Sequence, residues 1–271
     1  MENRLILRLS AVRKLVLSVS AAIGIPLMLG LSASPLAPQQ AHAEPAPSPN
    51  LNAQRRSEQA LPRTPVAFEP AHFDKYVGYY QLGPSTIFSV SRDGDHYFSR
   101  LTGQVNVEFF PESETKFFAT IVHAQISFDT DAQGRVTGLV LHQNGLEQPA
   151  LRVSESEAKN IEAALAQRIR SNTPSPGTEA ALRHQIDAEL KNGPDYSVLA
   201  PALAAATREI WPVTQQVISG LGALKSVTFK GVGPGGADIY EVVFERSNTE
   251  WRISPLTADG KIMGLGWRRL P

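Results

Sequence analysis

Residues 109–145 read FFPESETKFFATIVHAQISFDTDAQGRVTGLVLHQNG, and this stretch decides the fold of the first half of the chain. Apolar and polar residues alternate in residues 125–129, so Ile126 and Phe128 face one side of a strand. Turn sequences separate this strand from the next two β segments: DAQG at 131–134 and QNG at 143–145. The stretch therefore predicts consecutive antiparallel strands.

The same pattern continues on both sides of this stretch. A short helical turn begins at Pro70, and Asp93-Gly94 is a two-residue hairpin signal. The predicted strands are residues 78–81, 86–92, 96–101, 107–110, 116–122, 125–129, 136–142 and 146–153. Many short strands at close spacing are typical of an antiparallel barrel or sandwich. If an eight-stranded barrel closes, its interior is either filled or holds one small ligand.

The period of the pattern changes in the second half of the chain. Helical spacing predicts helices at 154–170, 178–190, 197–209 and 213–221, with Pro212 between the last two. Alternation then predicts strands at 224–232, 239–246, 251–256 and 262–269. Helices followed by an antiparallel meander indicate an α+β arrangement. Residues 231–236 (GVGPGG) contain G-x-G-x-x-G, but a strand follows, so we interpret them as a hairpin loop and predict no nucleotide cofactor.

The N-terminus predicts export. Arg4, Arg8, Arg13 and Lys14 precede an apolar run at 15–33, and Ala-His-Ala at 41–43 resembles a cleavage site, so residues 1–43 are interpreted as a signal peptide. The run is long enough that an uncleaved inner-membrane anchor remains the alternative. Both interpretations place the rest of the chain in the periplasm or outside the cell, and a membrane contact is expected only if the segment is not cleaved.

Composition excludes several classes of function. The 271 residues include 26 basic, 26 acidic and no cysteine residues. A balanced charge gives no electrostatic basis for binding nucleic acid. The absence of cysteine excludes disulfides, a thiol nucleophile and cysteine-ligated metals.

Two short motifs could suggest catalysis. S-x-x-K occurs at 113–116 and 156–159, but the companion S-D-N or Y-x-N and K-T-G elements are absent, so no catalytic residue is predicted. His96, His123 and His142 fall in or beside different strands and could converge on a metal. Because they lack ligand spacing, we favour ordinary strand histidines and predict no metal site.

Four segments of the first half resemble a known module: YVGYY at 76–80, LTGQ at 101–104, FPESETKFF at 110–118 and GLVLHQNG at 138–145. They are similar to the lipocalin-like C-terminal domain of penicillin-binding-protein-like (β-lactamase-related) serine peptidases. The resemblance implies an eight-stranded barrel without a nucleophile, which helps the enzyme assemble and covers its active site. We expect the hydrolase catalytic domain to be absent from this chain.

The second half resembles small nuclear-transport-factor-2-like (SnoaL-like) domains, through GVGPGGADIYEVVFE at 231–245 and EWRISPLTADGKIMGLGWR at 250–268. That resemblance implies helices packed on a curved sheet to form a cone with a cavity. We predict two domains, with a Pro-rich disordered linker at 44–68, the barrel at 69–153, a helical connector and hinge at 154–176 and the α+β domain at 177–271. Candidate ligand-binding residues of the cone are Trp211, Asp238, Tyr240, Trp251, Arg252 and Trp267, although we favour the interpretation that Trp251 and Trp267 are ordinary core residues.

Three hypotheses of function follow. The first is a non-catalytic exported accessory protein that supplies an assembly or lid domain to a separate periplasmic serine hydrolase, or that assembles with itself. The second is a carrier of a small apolar ligand, held in the barrel lumen or in the cone. The third is an enzyme in the cone that acts on a small molecule. His184, on the second predicted helix, is the only histidine of this half, and its sequence neighbours are unremarkable.

Overall fold

The structure, a computed structural model, describes residues 58–59 and 61–271. The predicted signal peptide and most of the predicted linker lie outside the described residues. The strands are β1 Gly78–Gly83, β2 Thr86–Asp93, β3 His96–Leu101, β4 Val107–Pro111, β5 Lys116–Ala119, β6 Ala124–Thr130, β7 Val136–Gln143, β8 Leu146–Val153, β9 Leu224–Val232, β10 Asp238–Phe244, β11 Asn248–Ile253 and β12 Leu265–Arg269. The α-helices are α1 Glu155–Ser171, α2 Thr178–Lys191 and α3 Pro201–Gly220, and two 3-10 helices are η1 Pro70–Tyr76 and η2 Tyr196–Val198.

Strands β1 to β8 form a closed antiparallel barrel. Each strand pairs with the next along the chain, and β1 closes the barrel by pairing with β8, for example Tyr79 with Val153. Closure satisfies the backbone groups of both terminal strands, which would otherwise be exposed edges. The eight predicted strands are confirmed, and of the two all-β architectures the barrel is the correct one.

Aromatic side chains fill the barrel interior. Phe73 and Tyr76 enter from η1, and Phe117 and Phe128 point inward from the wall; all four are buried. The Tyr76 ring stacks on Phe128 with a centroid distance of 4.1 Å, and Phe73 meets Phe117 edge-on at 5.0 Å. The hypothesis of a carrier that uses the barrel lumen is therefore wrong, because these rings occupy the lumen.

The two ends of the barrel differ. At one end, η1 closes the barrel: the Tyr76 hydroxyl donates to the Glu114 carbonyl at 2.9 Å, and Arg92 pairs with Asp74 at 2.7 Å. At the other end lie the connections β1–β2, β3–β4, β5–β6 and β7–β8, because alternate connections of an up-and-down barrel share an end. We call this second end the mouth.

Helix α1 follows the barrel, and the elements from α2 onward form a separate four-stranded sheet with helices, which we call the sheet part (residues 178–271). The sheet is an antiparallel meander in the order β12-β11-β10-β9, and its core includes Tyr240, Val242, Trp251 and Ile253 together with Leu182 of α2. The expected order of helices followed by strands is confirmed. No helix among the described residues is long and apolar enough to cross a membrane.

The predicted break at Pro212 is wrong. Helix α3 runs continuously through Pro212, and its buried residues Leu203 and Ile218 lie on opposite sides of the proline. Both ends of the helix pack into one core, and this packing offsets the roughly 3 kcal/mol that an interior proline costs. Thr214 donates its hydroxyl to the Ile210 carbonyl at 3.1 Å, which satisfies one acceptor in the turn around the proline.

Candidate functional site

The aromatic candidates for a cone cavity lie in or against the hydrophobic core of the sheet part. Trp251 is 1% exposed, and its indole stacks on Trp267 of the neighbouring strand with a centroid distance of 5.7 Å. Its Nε1 donates to the Thr249 hydroxyl at 2.9 Å. Tyr240 is fully buried, and Trp211 packs on the same core from α3. Their role in binding a ligand stays a prediction.

Arg252 is not brought together with these residues. It follows Trp251 on β11, so its side chain points to the opposite face of the sheet. There Glu250 accepts hydrogen bonds from Arg252 and from Arg268, at 3.0 and 2.6 Å. Partial burial is the largest single influence and raises the pKa of the Glu250 carboxyl. The two arginines together outweigh burial, so the pKa lies below its ordinary value.

Asp238 lies in a buried polar network between the two parts of the protein. Its carboxylate accepts hydrogen bonds from the Arg168 guanidinium, the Ser175 backbone amide and the Thr178 hydroxyl, each at 2.7 Å. The Tyr240 hydroxyl lies 3.0 Å from the Thr178 hydroxyl, and burial raises the pKa of Tyr240. Asp238, Thr178 and Tyr240 are all fully buried.

Arg168 connects this network to the barrel. Its guanidinium also donates to the Ser85 hydroxyl in the β1–β2 connection, at 3.3 Å, and to the Gly236 carbonyl at 3.2 Å. The network therefore joins the barrel mouth, helix α1 and strand β10. Sequence reasoning selected Asp238 and missed its partners. One signal was available, because Asp238 shares the buried face of β10 with Tyr240 and Val242, and a carboxylate on such a face requires a partner.

A small cleft lies at the barrel mouth, beside this network. It has a volume of about 60 Å³ and is partly open to solvent. Its walls come from the barrel and from the sheet part, and they carry no charged side chain; they include Leu82, Leu101, Gln148, Ala237, Pro255 and Met263. Known ligand pockets usually measure about 300–1,000 Å³, so this cleft fits only a small group.

The serines of the two S-x-x-K motifs lie in ordinary local structure. The Ser113 hydroxyl accepts hydrogen bonds from the backbone amides of Thr115 and Lys116 in the β4–β5 turn. Ser154, the N-cap of α1, lies 3.0 Å from the Ser156 hydroxyl on the exposed first turn. Neither serine opens a buried helix, which the catalytic S-x-x-K serine would do.

The strand histidines have polar partners on the outer barrel wall. His142 Nε2 lies 2.8 Å from the Ser127 hydroxyl, and His142 Nδ1 lies 3.7 Å from Glu147, which is beyond hydrogen-bond range. His96 Nδ1 lies 2.6 Å from Glu108, and this bond raises the pKa of the exposed imidazole. Among the described residues, no group of three or more His, Asp or Glu side chains could hold a metal ion.

His184 has an acidic partner that the sequence did not reveal. Its Nε2 lies 2.8 Å from the Asp195 carboxylate, on the surface. Ser197 donates its hydroxyl and its backbone amide to the same carboxylate, and these bonds lower the pKa of Asp195 to about 2. The aspartate lies between the serine and the histidine, whereas a nucleophilic serine must contact the histidine. Through Asp195, these hydrogen bonds connect α2 to η2.

Glu189 on α2 is a largely buried carboxyl whose ionisation opposes folding. Burial raises its pKa to about 7, and a hydrogen bond from the Gln185 side-chain amide, at 3.1 Å, only partly counteracts this. In the unfolded chain the carboxyl titrates near its ordinary value of about 4.3. The folded state therefore binds the proton more tightly, and stability falls as pH rises from about 4.3 to about 7.

Glu189→Gln is expected to remove this loss. The variant should match the wild type near pH 4 and exceed its free energy of unfolding by about 1–2 kcal/mol at pH 8, after a discount for the partial exposure of the side chain. Urea unfolding at a series of pH values measures the difference. Asp187→Asn, an exposed carboxylate on the same helix, is the matched control and should not change the pH dependence. A constant difference between Glu189→Gln and wild type across this range would contradict the assignment.

Comparison with known proteins agrees with the barrel. Residues 62–159 match the family model of a domain of unknown function, DUF3471. The matched residues include all eight barrel strands and the start of α1. The chain is also similar to penicillin-binding protein 4* of Bacillus subtilis (strain 168), with 30% identity over 86 residues. The similarity covers 32% of this chain and 19% of that protein, so the chain spans about a fifth of the length of this relative.

Proposed function

We propose that this protein is a non-catalytic, exported accessory protein whose barrel binds a separate serine hydrolase of the penicillin-binding class. In this role the barrel would assist assembly of the enzyme or cover its active site. The observation that carries the proposal is the partial similarity to penicillin-binding protein 4*, combined with a barrel that matches DUF3471 over its whole length. In this proposal the chain is exported to the periplasm through its predicted signal peptide, with an inner-membrane anchor at residues 15–33 as the alternative, and the hydrolase is a periplasmic protein.

The filled lumen supports a role for the outer surface of the barrel. Aromatic rings occupy the interior, so a partner would contact the wall and the connections at the mouth. Large apolar side chains are exposed there: Val105 and Ile121 lie in mouth connections, and Leu151 on the outer wall is 73% exposed. Single exposed apolar residues are common in soluble proteins, so their role requires a direct test.

The proposal includes a nuclear-transport-factor-2-like fold for the sheet part. A second copy of the chain is the alternative to a hydrolase as the binding partner. The order of helices before an antiparallel meander supports this fold. An enzyme in the cone receives less support. The buried carboxylate Asp238 already accepts three hydrogen bonds from protein groups, and the His184–Asp195 pair lies on the surface.

Capture with a labelled penicillin tests the accessory role. The tagged chain, exported in its source organism and crosslinked in the periplasm, is expected to retain a protein that fluorescent penicillin acylates and that mass spectrometry identifies as a serine hydrolase. The bait itself should remain unlabelled, because Ser113 and Ser156 lack the catalytic surroundings described above.

Two matched variants map the contact. Replacement of Val105, Ile121 and Leu151 together by aspartate should reduce capture several-fold. Val213→Asp changes a residue of the sheet part, on α3, that is 68% exposed, and it should leave capture unchanged. Eluates without a penicillin-reactive protein, or a bait that the penicillin acylates, would overturn the proposal.

A further inference from the structure

One residue that lines the mouth cleft, Gln148, carries a side-chain donor without a partner. Gln148 lies on β8 directly opposite Leu141, and directly opposed residues of a strand pair point to the same face. Leu141 belongs to the barrel core, so Gln148 also points into the barrel, at its mouth. Its Nε2 atom is buried and makes no hydrogen bond. Leaving such a donor unsatisfied costs about 1–3 kcal/mol, so an acceptor in the cleft would be favourable.

The lining of the cleft selects the chemistry of that acceptor. No lining residue carries a charge, so a carboxylate bound there would have no cationic partner, and burying an unpaired charge is unfavourable. A neutral carbonyl oxygen avoids that cost. The apolar walls, which include Leu82, Leu101 and Met263, fit a short alkyl group. The volume of about 60 Å³ suits a group of a few heavy atoms, since a cavity of about 10–15 Å³ already holds one water molecule.

We propose that the barrel mouth binds a neutral acyl group of acetamide size, whose carbonyl oxygen accepts a hydrogen bond from the Gln148 side-chain amide. The group is either a free small molecule or the end of a larger one, because the cleft is partly open to solvent. Both parts of the protein contribute walls: Leu82 and Leu101 come from the barrel, and Pro255 and Met263 from the sheet part. A bound group would therefore also stabilise the contact between the two parts.

This site is independent of the proposed hydrolase partner, and the purified chain alone tests it. Titration of the ¹⁵N-labelled full chain with N-methylacetamide should shift the Gln148 side-chain NH₂ resonances saturably, with a millimolar dissociation constant. Acetate and propylammonium have comparable size but carry a charge, and the latter offers only donors. Both should bind at least fivefold more weakly, since a neutral acceptor is required.

Two variants of the same side chain and one matched control complete the test. Gln148→Leu and Gln148→Glu keep the approximate shape but remove the donor, and each should weaken N-methylacetamide binding about fivefold or more. The second variant keeps the test valid if the first does not fold. Gln125→Leu is the control, because Gln125 Nε2 is also unpartnered but lies on the outer wall, where it faces His142 across the β6–β7 pair.

Three results would overturn the proposal. The first is the absence of a saturable shift, which would mean that water alone satisfies Gln148. The second is unchanged binding in both Gln148 variants. The third is binding of propylammonium as strong as that of N-methylacetamide, which would show that the cleft presents an acceptor and not a donor.

Discussion

Asp238→Ala is expected to lower the free energy of unfolding by about 3–5 kcal/mol, because it removes one member of a buried ion pair. The variant leaves the Arg168 guanidinium, the Ser175 amide and the Thr178 hydroxyl without their shared acceptor. Arg168 is only 19% exposed, so water replaces the lost carboxylate poorly. Urea unfolding followed by tryptophan fluorescence measures this loss, since all three tryptophans lie in the sheet part.

Glu162→Ala is the matched control for this loss. Glu162 of α1 pairs with Arg100 of the barrel at 3.1 Å, so it joins the same helix to the same barrel, but both side chains are about one-third exposed. An exposed pair contributes about 0–1 kcal/mol. If Asp238→Ala costs no more than Glu162→Ala, the buried network does not hold the two parts together as described.

Gly103→Ala is expected to destabilise the protein by several kcal/mol through a direct clash between its two parts. Gly103 lies in the β3–β4 connection with φ of +78°, and an added Cβ would lie 2.3 Å from the Pro234 carbonyl oxygen of the β9–β10 connection. Alanine therefore incurs the left-handed backbone penalty of about 1–2 kcal/mol and also forces two backbone segments apart.

Gly94→Ala separates these two contributions. Gly94 has φ of +60° in the β2–β3 turn, and an added Cβ there would meet no atom within 4 Å. This variant should incur only the backbone penalty. The difference in free energy of unfolding between the two alanine variants therefore measures the cost of the clash between the two parts. Equal losses would show that the mouth and the β9–β10 connection are not packed as the structure has them.

Much of the barrel was predictable because its information is local. Alternation in residues such as Ile126 and Phe128 sets which side chains face inward, and Gly94 and Asn144-Gly145 supply the positive φ values of hairpin turns. Prediction failed at Pro212, where local propensity favoured a break and long-range packing kept the helix. The sequence left open whether the barrel lumen is filled, because alternation shows which residues point inward but not whether they fill the space.

The sequence by itself determined eight strands, the later change to helices and a four-stranded meander, and Asp238 as a residue worth attention. Only the tertiary structure decided that Asp238 pairs with Arg168, 70 positions earlier, and that Gln148 and Met263 line the same cleft. The physical reason is the range of the interactions. Periodicity and turn chemistry act over a few residues, whereas these contacts form only when the closed barrel and the sheet pack against each other.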